Sequence, residues 1–342
     1  MIELEAWRGQ WFMVAEVADL SDRPLAVKLL GVDYVVWRGS DGALVAAPDR
    51  CPHREAPLSA GTVSDGCVVC PYHGWTFGDG GRCVEVPSSG AGRPVPPKAH
   101  LSTVHAVERY GLVWLCPGEP EGEIFACHYD DDPTFRRINT GVDVWRTNAL
   151  RMADNFMDIS HFPWVHTGTF GNAQQIEVPH IDLGPLDDGF HGYAYEVAAG
   201  NVSAEGNVAS GTADSDVVHR YMSTGFHLPL TVRSTIRYDN GLEHIILMLS
   251  TPVDDVTSYF SFVIWRNDDF SVPAEEVIAF DRAIGAEDKR MLELVPGVLP
   301  LDQTRTVSVQ SDKASVEWRR HLAALLGVGA PVNRPVVAAA GD

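Results

Sequence analysis

Basic residues are scarce in this chain. Lys and Arg together number 26 against 46 Asp and Glu, which leaves a formal charge of −20. Binding nucleic acid takes clusters of Lys and Arg, and none occurs, so that class of partner is set aside. Also lacking is any run of about 18 apolar residues, the length a membrane span takes, so no membrane association is expected. The first residues, MIELEAWRGQWF, carry neither a basic stretch nor an apolar core, so no secretory signal is expected and the cytoplasm is the expected location. Six cysteines in 342 residues do not make a disulfide scaffold, and in a reducing compartment their thiolates are available to metal. No internal repeat or low-complexity tract stands out.

What is present is ordinary globular material, 45% hydrophobic and 21% charged, and long enough for two domains. The excess of acid reads first as a solvated surface, and second as a field that steers a basic redox partner or a cationic substrate. Up to residue 118 the chain reads as short strands broken by turns: WFMVAEV, LAVKLL, DYVVWRG, ALVAAP and GLVWLCPG, with GSDG, GDGG and PSSG between them. The Pro/Gly/Glu run over residues 117 to 123 marks a boundary, giving expected domains 1–118 and 119–342. In the second, a strand (VDVWRTNAL) leads to a helical stretch near RMADNFMDIS. Longer strands follow in HRYMSTGFHLPLTVRSTIRY, EHIILMLSTPV and SYFSFVIWRN, and two helices follow in SVPAEEVIAFDRAIGAEDKRMLELV and SVEWRRHLAALLG. The expectation is an α+β fold, an all-β domain followed by an antiparallel sheet with packed helices. The tail beyond Gly327 is expected to be loosely held.

Two half-sites stand out in the first part. Cys51 and His53 form C-x-H, and Cys70 and His73 form C-x2-H, each Cys followed by Pro. Two thiolates and two imidazoles suit a structural zinc or an iron–sulfur cluster. The distribution favours the cluster, because each loop offers one residue of each type. CPHR, sixteen residues from Arg54 to Val69, and then CPYHGW resembles the Rieske [2Fe–2S] motif. Imidazoles in place of two thiolates raise such a cluster from about −400 mV to between about −150 and +300 mV, within reach of a ferredoxin. The respiratory-chain Rieske subunits carry two further cysteines, where this chain has Ala56 and Tyr72, so the oxygenase or ferredoxin type is implied. Cys67, Cys83, Cys116 and Cys127 read as ordinary buried cysteines.

The remaining residues ask for a second redox site, and ADNFMDISHFPWVH offers one. His161 and His166 would lie on different faces of a continuous helix, but Pro163 breaks it and pushes Phe162 towards extended backbone, so both rings can converge. D-N-F-M-D-x-x-H-x4-H resembles the mononuclear iron motif of the Rieske non-heme iron oxygenases. The resemblance implies His161 and His166 as iron ligands, Asn155 beside the metal, and Asp158 as the acid linking the iron site to a Rieske histidine of a neighbouring subunit. The missing carboxylate is sought on the late helix, where Val277, Phe280, Ile284, Met291 and Val295 form an apolar stripe. Asp288 falls within it, Asp281 on one border and Glu287 on the other; Asp288 is preferred, and the matching helix of the family's demethylase branch also carries Asp followed by Lys.

The resemblance further implies a helix-grip-like catalytic domain and the short, homotrimeric branch of vanillate and dicamba O-demethylases and caffeine N-demethylases. It implies the terminal oxygenase of a multicomponent monooxygenase, with mononuclear Fe(II), O2 as co-substrate, NAD(P)H acting through a ferredoxin or flavin reductase, and a small aromatic or alkaloid-like substrate. Two other readings stand beside it: a cis-dihydroxylating ring dioxygenase, and a Rieske electron carrier with a non-catalytic binding domain. Phe226, Leu228, Met248 and Phe262 are the expected pocket walls.

Overall fold

The computed structural model describes residues 5–328 apart from 91, 92, 202, 214, 303 and 304, so the tail from residue 329 lies outside the described residues. The chain divides into two compact units, 1–124 with 251–254, and 125–250 with 255–342.

The first unit is built of hairpins. One three-stranded sheet pairs Phe12–Glu16, Leu112–Cys116 and His105–Arg109, and a second pairs Leu25–Leu29, Val32–Arg38 and Leu44–Pro48. A four-stranded sheet orders Thr62–Ser64, Cys67–Val69, Thr76–Phe77 and Cys83–Glu85. Three of the hairpins close on two residues that both have positive φ: Leu30–Gly31 (51° and 79°), Asp65–Gly66 (50° and 75°) and Tyr110–Gly111 (57° and 72°). Their twist matches that of the flanking strands, which keeps each pair in register. Leu30 therefore belongs to a turn, one residue short of the expected strand LAVKLL. Val35, Trp37, Leu58, Val68 and Phe77 pack into a core that also holds Cys51, Cys70 and Cys83.

The second unit carries an eight-stranded antiparallel sheet. Its main path runs Arg136–Asn139, Ser258–Arg266, Glu243–Pro252, Thr231–Tyr238, Val217–His227, His191–Gly200 and Gly184–Pro185, with Asp143–Trp145 pairing off Ser258–Arg266. HRYMSTGFHLPLTVRSTIRY is a hairpin rather than the expected single strand: Pro229 fixes φ and has no N–H for a ladder, and Thr231 pairs back on His227. The α-helices among the described residues are α1 (Ala149–Phe156), α2 (Phe162–Val165), α3 (Ala204–Ser210), α4 (Ala274–Leu292) and α5 (Lys313–Leu325). The Asn148 side chain caps α1 by accepting from the Leu150 N–H at 3.2 Å, and Glu275 and Glu276 begin α4 as Lys289 and Arg290 end it, each complementing the helix dipole. No helix among the described residues is long and apolar enough to cross a membrane.

Burial along α4 differs from the expected stripe. The helix ends at Leu292, so Val295 is beyond it, and Met291 is 44% exposed. Ile278 and Leu292 are buried instead, and so are all three acids, Asp281, Glu287 and Asp288. Equal spacing along a helix is not equal burial: in the last turn of α4 Met291 is exposed while Leu292 is buried.

Candidate metal centres

The loops at Cys51 and Cys70 share one backbone design. In the first, the Cys51 carbonyl accepts from Glu55 N–H at 2.9 Å and Cys51 N–H donates to the Ala56 carbonyl at 2.9 Å. In the second, the Cys70 carbonyl accepts from Gly74 N–H at 3.1 Å and Cys70 N–H donates to the Trp75 carbonyl at 2.8 Å. The fifth residue of each loop turns through positive φ, 60° at Glu55 and 70° at Gly74. Both thiols end in the core, 1% and 2% exposed, while His53 is half-buried and His73 exposed. The two imidazoles meet edge to face with centroids 4.4 Å apart, and His53 stacks on Trp75 at 4.6 Å.

These residues fit a mixed-ligand cluster. His53 Nδ1 is buried with no hydrogen-bond partner among the described residues, as a nitrogen reserved for metal is. Burial, ahead of the neighbouring Cys70, pushes the Cys51 thiol up to about 11. A thiolate there therefore needs a cation beside it. Tyr72 is 65% exposed, and Ala56 packs on the core. Cys83, Cys116 and Cys127 are buried free thiols, while Cys67 is only half-buried, at the edge of its hairpin.

In the second unit, α2 is a single turn with His161 at its N-cap and His166 at its C-cap. Pro163 sits in that first turn, where its missing N–H removes no helical bond, so Phe162 is helical and not extended as expected. Convergence of the rings comes from placing them at the two ends of one short turn. His161 Nε2 and His166 Nε2 lie 3.1 Å apart, and each is 3.5 Å from Asp288 Oδ1 on α4. A metal about 2.1 Å from each of three such atoms sets them roughly 3 to 3.5 Å apart when the ligand angles lie between about 95° and 115°.

The two histidines are held from behind, and Asp288 is held at the oxygen that faces them. His161 Nδ1 lies 2.8 Å from Asp158 Oδ2, and His166 Nδ1 lies 3.1 Å from Glu287 Oε2. Asn155 Nδ2 donates to Asp288 Oδ1 at 2.9 Å. With both Nδ1 atoms facing carboxylates, the network assigns their protons there and leaves two Nε2 lone pairs facing one point beside Asp288. Burial is the main force holding His166 below its usual range, which keeps the ring neutral. Burial pulls Asp158 the other way, yet the His161 ring, Ser160 and backbone N–H groups hold it below the usual carboxylate range. Among the three candidate acids, Asp288 meets the histidines. Glu287 supports His166 while accepting from Thr169 Oγ1 at 2.7 Å and Gly168 N–H at 3.0 Å. Asp281 sits by His244, 3.4 Å from its Nε2.

A cavity with about 690 Å³ of empty space, opening included, adjoins the triad. Its walls are alternate residues of adjacent strands (Arg220, Met222 and Thr224; Ser234, Ile236 and Tyr238; His244, Ile246 and Met248), closed by Phe280 and Ile284 of α4. Of the four expected walls only Met248 lines it. Phe226 packs between His191 and His321, and Phe262 packs on Phe260. Length and apolarity choose such residues from sequence, but register decides which ones face inward. Arg220, His244 and Asp281 drew no expectation as pocket walls; the signal for Arg220 was a charged residue at an inward step of the alternating strand VVHRYM.

Residues 10–107 match the Rieske [2Fe-2S] domain family, and residues 145–327 match the vanillate O-demethylase oxygenase C-terminal domain family. The methylxanthine N1-demethylase NdmA of Pseudomonas putida is 32% identical, with 94% of this chain and 89% of that protein covered. The oxygenase component of dicamba O-demethylase from Stenotrophomonas maltophilia is 36% identical over 49% of each chain. The solved structure of NdmA with caffeine superposes with a TM-score of 0.80 at 30% identity, covering 98% of this chain and all of that one. The protein is thus a Rieske non-heme iron oxygenase, and it belongs with the oxygenase components of the vanillate, dicamba and methylxanthine demethylases.

Proposed function

We propose that this chain is the terminal oxygenase of a multicomponent monooxygenase that hydroxylates a methyl group on the oxygen or nitrogen of a small aromatic compound. The hydroxymethyl product then loses formaldehyde, completing a demethylation. The observation that carries this reading is the triangle of His161, His166 and Asp288 at one end of an otherwise largely apolar cavity. The substrates for which the relatives are named, methylxanthines and dicamba, agree with a flat aromatic occupant. When bound, mononuclear Fe(II) supplies the site of O2 activation, and a [2Fe–2S] cluster relays electrons from NAD(P)H by way of a ferredoxin or reductase.

The chain's own residues divide the remaining work. Cys51, His53, Cys70 and His73 hold the cluster from two matched loops. Asp158 and Glu287 fix the tautomers of His161 and His166, and Asn155 restrains the Asp288 carboxylate by its amide N–H. Met222, Ile236, Ile246 and Phe280 exclude water and leave the substrate's methyl group facing the triad. Asp158 keeps 19% of its side chain exposed, enough for a second contact. In a head-to-tail homotrimer that contact is the ring N–H of a cluster histidine of the next subunit.

Iron and acid-labile sulfide counts on purified protein test the reading. About three irons per chain are expected, where a bare electron carrier holds two. Turnover in labelled O2 separates the reactions: one labelled atom in the product before formaldehyde loss supports monooxygenation, and two would establish dihydroxylation. Stoichiometric zinc without sulfide would overturn both.

A further inference from the structure

At the end of the cavity away from the triad lies a group of charged side chains for which the chemistry above has no use. Asp281 and Asp288 stand on one face of α4 seven residues apart, which is about 10.5 Å along a helix axis. Beside Asp281 are His244 and Arg220, and both line the cavity. Arg220 is 3% exposed, and its Nε and Nη2 are buried with no hydrogen-bond partner among the described residues. Its contacts are the faces of Phe170, Tyr238 and Phe280, 5.1 to 5.8 Å from its guanidinium carbon. Aromatic faces attract a cation but leave its N–H groups unmet. Asp281 Oδ2 is likewise buried without a partner.

The neighbouring cation is already committed. Arg266 donates to the Ala209 carbonyl at 2.7 Å and to Asp268 at 3.1 Å, and it lies 2.5 Å from His244 Nδ1. That contact makes His244 Nδ1 an acceptor and puts the proton on Nε2, which faces Asp281 Oδ1 at 3.4 Å without the alignment of a hydrogen bond. The far end of the cavity is thus lined by an arginine whose Nε and Nη2 have no hydrogen-bond partner among the described residues, with an imidazole N–H and a carboxyl group close by. A buried charge in this state is costly, and a ligand of opposite charge removes the cost.

We propose that Arg220, flanked by His244 and Asp281, is the specificity-determining residue of the cavity and selects substrates that carry a carboxylate on a flat apolar body. This deepens the oxygenase reading and rests on it for the fate of the other end of the substrate. A guanidinium fork matches a carboxylate with two parallel hydrogen bonds. A phosphate dianion would need a second free cation, and among the described residues no lysine lines the cavity. A neutral amide fills the same space but leaves the charge of Arg220 unpaired. Burial, working against Arg266 and Arg220, pushes the Asp281 carboxyl up to about 7, so near neutral pH a protonated Asp281 can donate to the bound carboxylate instead of repelling it.

The test is binding, not turnover. Benzoate, 4-methoxybenzoate and 2-naphthoate are titrated calorimetrically into anaerobic holoprotein, each beside its primary amide. At least one acid is expected to bind at least tenfold more tightly than its amide. Arg220→Met should bring that ratio close to one, and Arg220→Lys, which keeps the charge without the fork, should retain a few-fold preference. Amides binding as well as acids in all three pairs would overturn the proposal on wild-type protein alone, whatever the variants do. A preference that survives Arg220→Met would overturn it equally. Iron content and the reduced-cluster EPR spectrum are read on the same samples. Acid preference in protein lacking mononuclear iron would sink the oxygenase reading and leave this one standing, and the reverse result would do the opposite.

Discussion

The two candidate metal centres are built by opposite means. At the cluster loops the backbone does the positioning: carbonyls of Cys51 and Cys70 each close on the residue four further on, and their N–H groups on the residue five further on. At the triad the ligands come from α2 and α4, more than 120 residues apart in sequence, and each is steadied by a second side chain, Asp158, Glu287 or Asn155. Local chain geometry can set two sulfurs and two rings from short loops. A three-point site assembled from distant elements needs an outer layer of hydrogen bonds to keep its shape. The first kind of site is robust to distant substitution, and the second is open to tuning from behind.

Removing one ligand at each site breaks the comparison most sharply. Asp288→Ala is expected to lose one iron per chain and all turnover while keeping the reduced Rieske EPR signal. Cys70→Ser should lose that signal and its colour; metal analysis of both variants checks that the sites fail independently. Next is Asp158→Asn, expected to leave both metals bound and slow single-turnover reoxidation of the reduced cluster by orders of magnitude. A wild-type rate in that variant would refute the bridging role. Glu287→Gln reaches the triad through His166, and the expected loss is about 10- to 100-fold in iron affinity, read by competition with a chelator.

The fourth effect depends on pH. Asp281 faces His244, Arg220 and Arg266, and burial still raises it from 3.8 to about 7. The folded protein therefore keeps a proton that the unfolded chain releases from about pH 4 upward. This contribution to stability is full below that point and is lost as pH rises through 7, on the order of 4 kcal/mol in total. Asp281→Asn should melt higher than wild type at pH 8, with the gap closing towards pH 5. An equal gap at both would refute the raised value. The smallest effect compares the two loops with each other. Gly74→Ala, at φ 70° with a new methyl carbon 3.2 Å from Pro87, should cost about 1 to 2 kcal/mol. Glu55→Gly should stabilise by up to about 1 kcal/mol by relieving the same φ in a non-glycine residue. Denaturant titration of the two variants measures both.

How much of this was legible in the sequence follows the same division. The half-sites at Cys51 and Cys70 are local, so their spacing carried the whole arrangement. The histidine pair was legible as a pair, but its geometry was misread at Pro163, because a proline in a helix's first turn starts the helix instead of breaking it. Asp288 was reached through helical periodicity even though Met291 and Val295 of the assumed stripe are not core. Periodicity finds the right face but not which of its positions are covered. In the sequence Glu287 reads only as an alternative ligand and not as the support of His166, since two adjacent acids on one helix look alike until the partner is placed. The pocket walls were mostly missed. Alternation in a strand identifies which residues share a face, while hydrogen-bond register across the sheet decides which face is the cavity.

One feature of the cluster loops bears on how the protein is made and worn out. The sulfurs of Cys51 and Cys70 are sealed in the core, whereas the ring of His73 stands in solvent. A cluster held by these four residues would assemble in order, its sulfur side with closure of the hydrophobic core and its histidine side last. It would decay the other way, with acid or a chelator reaching the histidine side first. Brief chelator treatment should therefore bleach the mixed-ligand spectrum while the chain stays folded by circular dichroism. Simultaneous loss of colour and fold would show that the two ends of the cluster come apart together.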